Sequence, residues 1–441
     1  MESLLENGDL KHRKHLGVKK IAPIVLPEAL INAASKLIPK ENEKFFMSEA
    51  EALWKVLAYR RLPIERDEIN QRLKNLYPSY TGEFEDIPQA FTKEELDKIK
   101  NKMRKELKRW NPVEYDRHNS LAYLVGRLAA NYASAFKIFY ELKNRACDFE
   151  PKTFFDFGSG VGSAVWAAYA VWGSSLKEYF CVDASSDMND VSQQLLMDSE
   201  TEEMLIKTVY HRQFLPASET VKYDLVVSAF SLMDLPSLKD RLQIIDTLWR
   251  KTNDFLIIIE YGNNAGFLSV LDARDYILQV ENAIYNSLGY SSPGAHVIAP
   301  CPHDSTCPRL TESSYKPCGF TVPYQPLFPI GAKPPSQNDW ISYVILRKGH
   351  RRETDISWPR IVKPVLKRPK HVHCRLCCSD GKLHEIIVTK ARHGRHAYRC
   401  ARSSTLGDLL PVHLKSLPDR DKETEDSSHV NNDEIDTESN K

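Results

Sequence analysis

A surplus of charge is the first thing this chain lacks. Its 441 residues carry 60 Lys and Arg against 59 Asp and Glu, a formal net charge of +1, so the overall balance names no partner. No apolar run of bilayer length is present, which predicts a soluble protein with no membrane partner. The opening residues, Met1-Glu2-Ser3-Leu4-Leu5-Glu6-Asn7, have no apolar h-region and so give no secretory signal. They are acidic, whereas a mitochondrial presequence is Arg-rich and poor in acid. No internal repeat is visible. A disulfide framework is also missing. The nine cysteines are odd in number, seven of them follow residue 300, and no signal precedes them, so metal ligation is the better reading.

A chain of this length predicts two or three units, and 42% apolar residues suffice for a sizeable core. Residues 1–26 are polar and basic and read as a flexible extension. Residues 27–148 read as a helical region, with helical spacing at Pro27–Ile38, Ser48–Arg60 and Thr92–Arg109. The strongest helix is Asn119–Leu142, with Leu121, Leu124, Leu128, Tyr132 and Phe136 along one face. Residues 149–290 alternate strands (Thr153–Phe157, Glu178–Val182, Tyr223–Ser228, Asp254–Glu260) with helices starting near Val161, Met188, Leu238 and Ala265. That alternation implies an α/β doubly wound sheet, parallel and covered on both faces. Residues 291–338 are dense in Pro, Gly and Cys and read as a metal-binding loop. Residues 339–417 read as a strand-rich basic module, with strands at Trp340–Leu346, His371–Leu376 and His384–Val388. Residues 418–441 carry almost no apolar side chains and are expected to be disordered.

The run Phe155-Asp156-Phe157-Gly158-Ser159-Gly160-Val161-Gly162 falls at a strand-to-helix junction. Glycines there let the backbone turn tightly and approach a ligand, and the following helix offers free N–H groups. The spacing is G-x-G-x-G after an acid, unlike the G-x-G-x-x-G of pyrophosphate binders. The next strand ends in Val182-Asp183, where a carboxylate can accept from ribose hydroxyls. No Lys-Ser/Thr follows the glycines, which argues against a nucleoside triphosphate. Over about residues 150–290 this pattern resembles class I methyltransferases. The resemblance implies S-adenosylmethionine as cofactor, with Asp156, Gly158 and Gly160 lining its methionine and ribose part and Asp183 holding the ribose.

The chemistry of methyl transfer is less visible. Val227-Ser228-Ala229-Phe230-Ser231-Leu232-Met233-Asp234-Leu235-Pro236 has no Pro-Pro-aromatic loop to present an exocyclic base amine. It has no cysteine nucleophile for cytosine C5 either. Asp234 could serve as a base or cap the helix that starts near Pro236.

Cys301 and Cys307 lie in Pro300-Cys301-Pro302-His303-Asp304-Ser305-Thr306-Cys307-Pro308, with Cys318 in Lys316-Pro317-Cys318-Gly319 and Cys374, Cys377 and Cys378 further on. Prolines stiffen a loop that must hold thiolates in place. Three thiolates from one loop and one from afar make a tetrahedral set for zinc or an iron–sulfur cluster. The spacing is irregular and lacks two close C-x₂-C knuckles, which favours a cluster over a ribbon-type zinc site.

Taken together, the Asp156–Gly162 loop, the Ala299–Cys307 run, Trp358-Pro359-Arg360-Ile361, and His393-Gly394-Arg395 leading to Tyr398-Arg399-Cys400-Ala401-Arg402 resemble the mitochondrial methyltransferase-like family of ribosomal assembly factors. The resemblance runs from about residue 20 to 415. It implies a 4Fe–4S cluster on Cys301, Cys307, Cys318 and Cys377, because the family's fourth cysteine precedes an Asp-Gly turn, here Asp380-Gly381. It also implies the mitochondrial matrix, although the amino terminus reads as alternative or incomplete. The chain departs from the family at Leu406, where a tryptophan is usual.

Positive charge concentrates at Arg347, Lys348, Arg351, Arg352, Arg360, Lys363, Lys367, Arg368 and Lys370, and again at Lys390, Arg392, Arg395, Arg399 and Arg402. Such a stripe is the footprint of a phosphate backbone. The resemblance directs it to small-subunit ribosomal RNA and the mitochondrial small ribosomal subunit, bound by a protein monomeric off the ribosome. The reading that results is an assembly factor with a methyltransferase-like fold. An active S-adenosylmethionine-dependent rRNA methyltransferase and a zinc-stabilised RNA-binding protein without cofactor stand as alternatives.

Overall fold

The computed structural model describes residues 11–15, 17–63, 65, 70, 92–94, 97, 98, 110, 112–218, 220–288, 294–312, 316–328, 336–352 and 355–411. The expected tail and most of the expected Thr92–Arg109 helix lie outside them.

The helical region supplies α1 (Glu28–Leu37), α2 (Glu43–Tyr59) and α3 (Arg117–Arg145). Asp116 caps α3 by accepting from the Asn119 amide at 2.8 Å, and Lys143 and Arg145 complement the dipole in its last turn. The expected apolar face is only part of what α3 buries. Leu124, Leu128 and Tyr132 are buried, but so are Arg127, Asn131 and Glu141, because α2, the first helix of the α/β unit and the sheet pack on it from different sides.

Four strands stand where the alternation puts them: β1 (Thr153–Phe157), β2 (Glu178–Val182), β4 (Tyr223–Ala229) and β5 (Thr252–Tyr261). The short, half-exposed β3 (Val209–Arg212) carries too little apolar patterning to be read from sequence. Helices α4 (Ser163–Trp172), α5 (Ser186–Leu195), α6 (Leu238–Lys251) and α7 (Asn264–Leu288) complete the doubly wound unit. The sheet order is β3-β2-β1-β4-β5-β8-β6, with β7 paired to β8. Strands β1 to β5 are parallel, while β8 (Gln337–Lys348) runs antiparallel to β5, to β6 (Ala295–Ala299) and to β7 (Phe320–Tyr324). Period-two alternation sends Phe154, Ile257 and Ile259 into the core shared with α3 and α4. Phe155, Leu256 and Ile258 go into the opposite core with α6 and α7.

Two expected boundaries move. Strands β6, β7 and β8 all belong to the main sheet, so the cysteine loop is an insertion between β6 and β7, and the carboxyl-terminal module begins after β8. A buried apolar run identifies a strand without saying which sheet it joins. The module holds β9 (Arg360–Ile361), β10 (Leu366–Lys367), β11 (His371–Cys377) and β12 (Leu383–Thr389) in a second sheet, closed by α8 (Lys390–Ser403). That helix was hidden by Gly394, whose φ of 77° and ψ of 166° break the helical period.

Within the extension expected at residues 1–26, residues 17–26 are tied into the fold. Ile24 pairs with β7 through Ile24 N to Pro323 O at 3.0 Å and Gln325 N to Ile24 O at 2.9 Å. Leu409 N donates to Gly17 O at 2.8 Å and Lys19 N to Asp408 at 2.6 Å, so this strap ties the sheet to the module. Among the described residues no helix is long and apolar enough to cross a membrane.

Candidate cofactor cleft and cysteine centre

The chain leaves β1 through Gly158, Gly160 and Gly162, with φ of 68°, 50° and 80°. All three are left-handed values that side chains rarely adopt. The turn brings the Gly160 amide 2.8 Å from Asp183 Oδ2, at the end of the neighbouring strand, while Ser185 N donates to Oδ1 at 3.0 Å. Each oxygen keeps a second lone pair. Asp183 lines a cleft of about 670 Å³ together with Gly158, Gly160, Tyr115, Phe157 and Phe214. Burial raises the Asp183 carboxyl, and the two amides pull it back.

Asp156 sits elsewhere. Its side chain is buried beneath the glycine turn and lines a separate small cavity with Tyr123 and Asn131. Neither of its oxygens has a hydrogen-bond partner among the described residues. Burial, and then the charge of Asp183, push its carboxyl up to about 8.

The far wall of the cleft is closed by the helical region. Arg60, buried at the end of α2, forms an ion pair with Asp234. Trp110 Nε1 donates to the Met233 carbonyl at 2.8 Å, and Arg60 reaches the same oxygen at 3.4 Å. Asp234 is therefore not the cap of α6. Ser237 is, accepting from Asp240 N at 3.1 Å. Neither Arg60 nor Trp110 carries a sequence signal linking it to the loop after β4.

Cys301, Cys307, Cys318 and Cys377 line one cavity, walled by Phe267, Leu271 and Arg274 of α7 and by Tyr343 of β8. Strand alternation explains why Cys377 and not Cys378 faces it. Val372, Cys374, Leu376 and Cys378 point into the module's small core with Cys400, and Cys377 points the other way. Burial raises all four thiols, Cys307 to about 11 and Cys318 to about 12. Three buried arginines oppose that rise at Cys301, Cys307 and Cys318. Arg274 donates to Ser305 O at 2.6 Å, Arg309 to Val362 O at 2.8 Å and Arg360 to Pro300 O at 3.0 Å. Among the described residues no three of these sulfurs lie within 4.8 Å of one another. Cys378, Asp380 and His384 do meet that criterion, with His384 Nε2 2.7 Å from Asp380 Oδ2 across the β11–β12 turn.

The basic stripe divides. Arg360 is buried and unavailable to a phosphate. Arg347 stacks over Phe255 at 5.2 Å, and Lys348 sits 3.8 Å above Trp249 and 3.8 Å from Glu281, where burial lowers its pKa to about 8. Arg351 pairs with Asp304 at 2.9 Å. Arg352, Lys367, Arg368 and Lys370 are exposed. Arg402 of α8 donates to Arg368 O at 2.7 Å, which joins the β10 end to the exposed Arg392, Arg395 and Arg399 of that helix.

A doubly wound sheet in this order, with its antiparallel strand inside the edge and a glycine turn facing a strand-end carboxylate, is a class I methyltransferase-type domain, here with a four-cysteine centre on its edge. The family described as mitochondrial small ribosomal subunit Rsm22 matches residues 117–411, and the chain belongs to it. It is 42% identical to human "Ribosome assembly protein METTL17, mitochondrial", over 91% of this chain and 86% of that protein. It is 22% identical to Saccharomyces cerevisiae "Ribosome assembly protein RSM22, mitochondrial", over 67% of each. Among solved structures, magnesium protoporphyrin IX methyltransferase from Synechocystis is 13% identical, with a TM-score of 0.29 over 59% of this chain and 99% of that one. At that score the likeness adds nothing to the strand order.

Proposed function

We propose that this chain is an assembly factor of the mitochondrial small ribosomal subunit, acting in the matrix as a monomer that binds small-subunit ribosomal RNA. In this reading it holds S-adenosylmethionine in the cleft, carries a 4Fe–4S cluster on Cys301, Cys307, Cys318 and Cys377, and does not transfer the methyl group. The human and yeast relatives are named mitochondrial ribosome assembly proteins, which supports the setting.

The observation that carries the reading is the closed wall of the cleft. A methyl acceptor amine needs free carbonyl and carboxylate oxygens after β4. The Met233 carbonyl is taken by both Trp110 and Arg60, and Arg60 also holds Oδ1 of the Asp234 carboxylate. S-adenosylmethionine supplies an electrophilic methyl group when bound, and Asp183 fits its ribose because both oxygens retain acceptor capacity while the backbone holds them still. Gly158 and Gly160 keep side chains out of its path.

The cysteine spacing suits a cluster better than one ion. Zinc–sulfur bonds of about 2.3 Å place four thiolates about 3.8 Å apart, whereas no three of these sulfurs lie within 4.8 Å of one another. A cluster joins more widely spaced sulfurs, and Arg274, Arg309 and Arg360 offset its negative charge. On the module, Arg352, Lys367, Arg368 and Lys370 with the basic residues of α8 supply the exposed charge for phosphates. Arg347, Lys348 and Arg351 have internal partners and contribute field more than contact. The test is anaerobically purified protein given labelled S-adenosylmethionine and small-subunit RNA. Bound cofactor, bound iron and RNA association without label transfer are expected; stoichiometric methylation of the RNA would overturn the reading.

A further inference from the structure

We propose that His303 is a positioning residue of the cysteine centre, whose Nε2–H donates to the sulfur of Cys377 and raises the reduction potential of the cluster. This rests on the cluster reading above and deepens it. Nε2 lies 3.3 Å from Cys377 Sγ, and the ring is buried. The contact crosses from the cysteine loop to the carboxyl-terminal module, 74 residues apart in sequence.

The loop that carries the ring is held from both sides. Arg274 donates to the carbonyls of His303 at 3.3 Å and Ser305 at 2.6 Å. Asp304 accepts from Val297 N at 2.7 Å and pairs with Arg351. Over the top lies the Asp380-Gly381 turn. Gly381 has φ of 77°, and a Cβ there would stand 2.8 Å from Ser305 Cβ and 3.9 Å from His303 Nδ1, so only glycine lets the turn close this tightly.

The tautomer follows from the surroundings. Nδ1 is buried and makes no well-formed hydrogen bond among the described residues, and the Ser305 carbonyl that acts on the ring is already taken by Arg274 at 2.6 Å. A proton on Nδ1 would be a poorly satisfied buried donor, whereas a proton on Nε2 meets the sulfur. An N–H bond to a ligating sulfur withdraws electron density from it. It therefore stabilises the reduced, more negative cluster over the oxidised one.

The experiment is a spectroelectrochemical titration of anaerobically purified full-length protein, with iron measured in parallel. His303→Phe keeps a ring and removes the donor; His303→Gln keeps a donor. The expected result is equal iron, a midpoint shifted to more negative potential in His303→Phe, and one close to wild type in His303→Gln. Equal midpoints for wild type and His303→Phe, or equal shifts in both variants, would overturn the inference. A measurement on unsubstituted protein guards against a variant that loses iron: with ¹⁵N-histidine label, the reduced cluster should show hyperfine coupling to one imidazole nitrogen, and absence of coupling also overturns it. Wild-type protein lacking iron would sink the cluster reading and this inference with it. Iron with an unmoved potential sinks this inference alone.

Discussion

Replacing Arg360 with Met separates two roles that its charge makes easy to confuse. The guanidinium donates to Pro300 O at 3.0 Å, Gly407 O at 2.7 Å and Glu141 Oε1 at 2.6 Å, all in the interior. Methionine fills most of the space and makes none of these bonds. Removing one partner of a buried ion pair costs about 3–5 kcal/mol, because the other charge stays buried. Glu141 keeps Arg145 at 2.9 Å and the Tyr343 hydroxyl at 2.8 Å, so the lower end applies, about 3 kcal/mol. Against a total of about 5–15 kcal/mol this is large. It should lower the urea midpoint by about 1 M or more. Burial raises the Glu141 carboxyl, but Arg360, Arg145 and Lys19 outweigh it and hold the group well below its ordinary value. A depressed acid gives its stabilisation above the unfolded carboxylate range and loses it as pH falls through the folded value, so the deficit of Arg360→Met should shrink in strong acid. The salt dependence of RNA binding should stay the same, since Arg360 faces no phosphate. An unchanged urea midpoint with a flatter salt slope would refute the argument and return Arg360 to the surface stripe.

Four further outcomes follow from the same geometry. Asp183→Ala should weaken S-adenosylmethionine binding by about 1.5–3 kcal/mol in calorimetry, the value of charge-assisted hydrogen bonds, and equal affinities would remove Asp183 from the site. Joint replacement of Lys367, Arg368 and Lys370 with Ala should weaken RNA binding and flatten its dependence on salt, measured by filter binding across a salt series. Asp156, raised to about 8, stays protonated in the folded chain where the unfolded chain is ionised, so stability falls as pH rises from about 4 to about 8; Asp156→Asn should flatten that fall in denaturant titrations. Cys307→Ser should lose iron and open the cysteine loop to protease while the main sheet resists, whereas Cys374→Ser and Cys400→Ser, which face the module's core, should keep the metal.

How far the sequence could be read depended on whether a signal was local. Strands β1 and β2 have the ends expected of them, because continuous apolar runs met glycine and acid at their boundaries. The glycine turn and Asp183 were legible for the same reason. Cys377 was distinguishable from Cys378 only through family likeness, and strand alternation now supplies the physical reason. What failed was long-range. Arg360 looked like one more cation in a basic stretch, since nothing nearby in sequence reveals that its acid partner is Glu141, 219 residues away. Lys348 and Arg351 misled in the same way through Glu281 and Asp304. The strap at residues 17–26 carries no local signal because its anchors are backbone groups of Pro323, Gln325 and Leu409 and the Asp408 carboxylate, all far away in sequence. His303 stands between Cys301 and Cys307 in sequence, but its bond to sulfur depends on the module folding back.

Helix α3 connects these observations. It starts beside the cleft, where Tyr115 packs on Tyr123 with ring centroids 5.6 Å apart, and ends at Glu141 and Arg145 under the cysteine loop. From Tyr123 to Glu141 the rise is about 27 Å. Along that length Arg127 is fixed by Asp339 at 2.8 Å and by the faces of Trp54, Phe230 and Tyr261. A helix buried on so many sides cannot slide or tilt without unpacking the core, so it sets the distance between cleft and cysteine centre. The same helical region closes the cleft wall through Arg60 and Trp110. Here Arg60 and Trp110 occupy Met233 and Asp234 on that wall, and the cysteine loop meets Cys377 of the basic module across one cavity. On the function proposed above, that allocation of buried polar groups suits a scaffold whose output is the position of its cationic face.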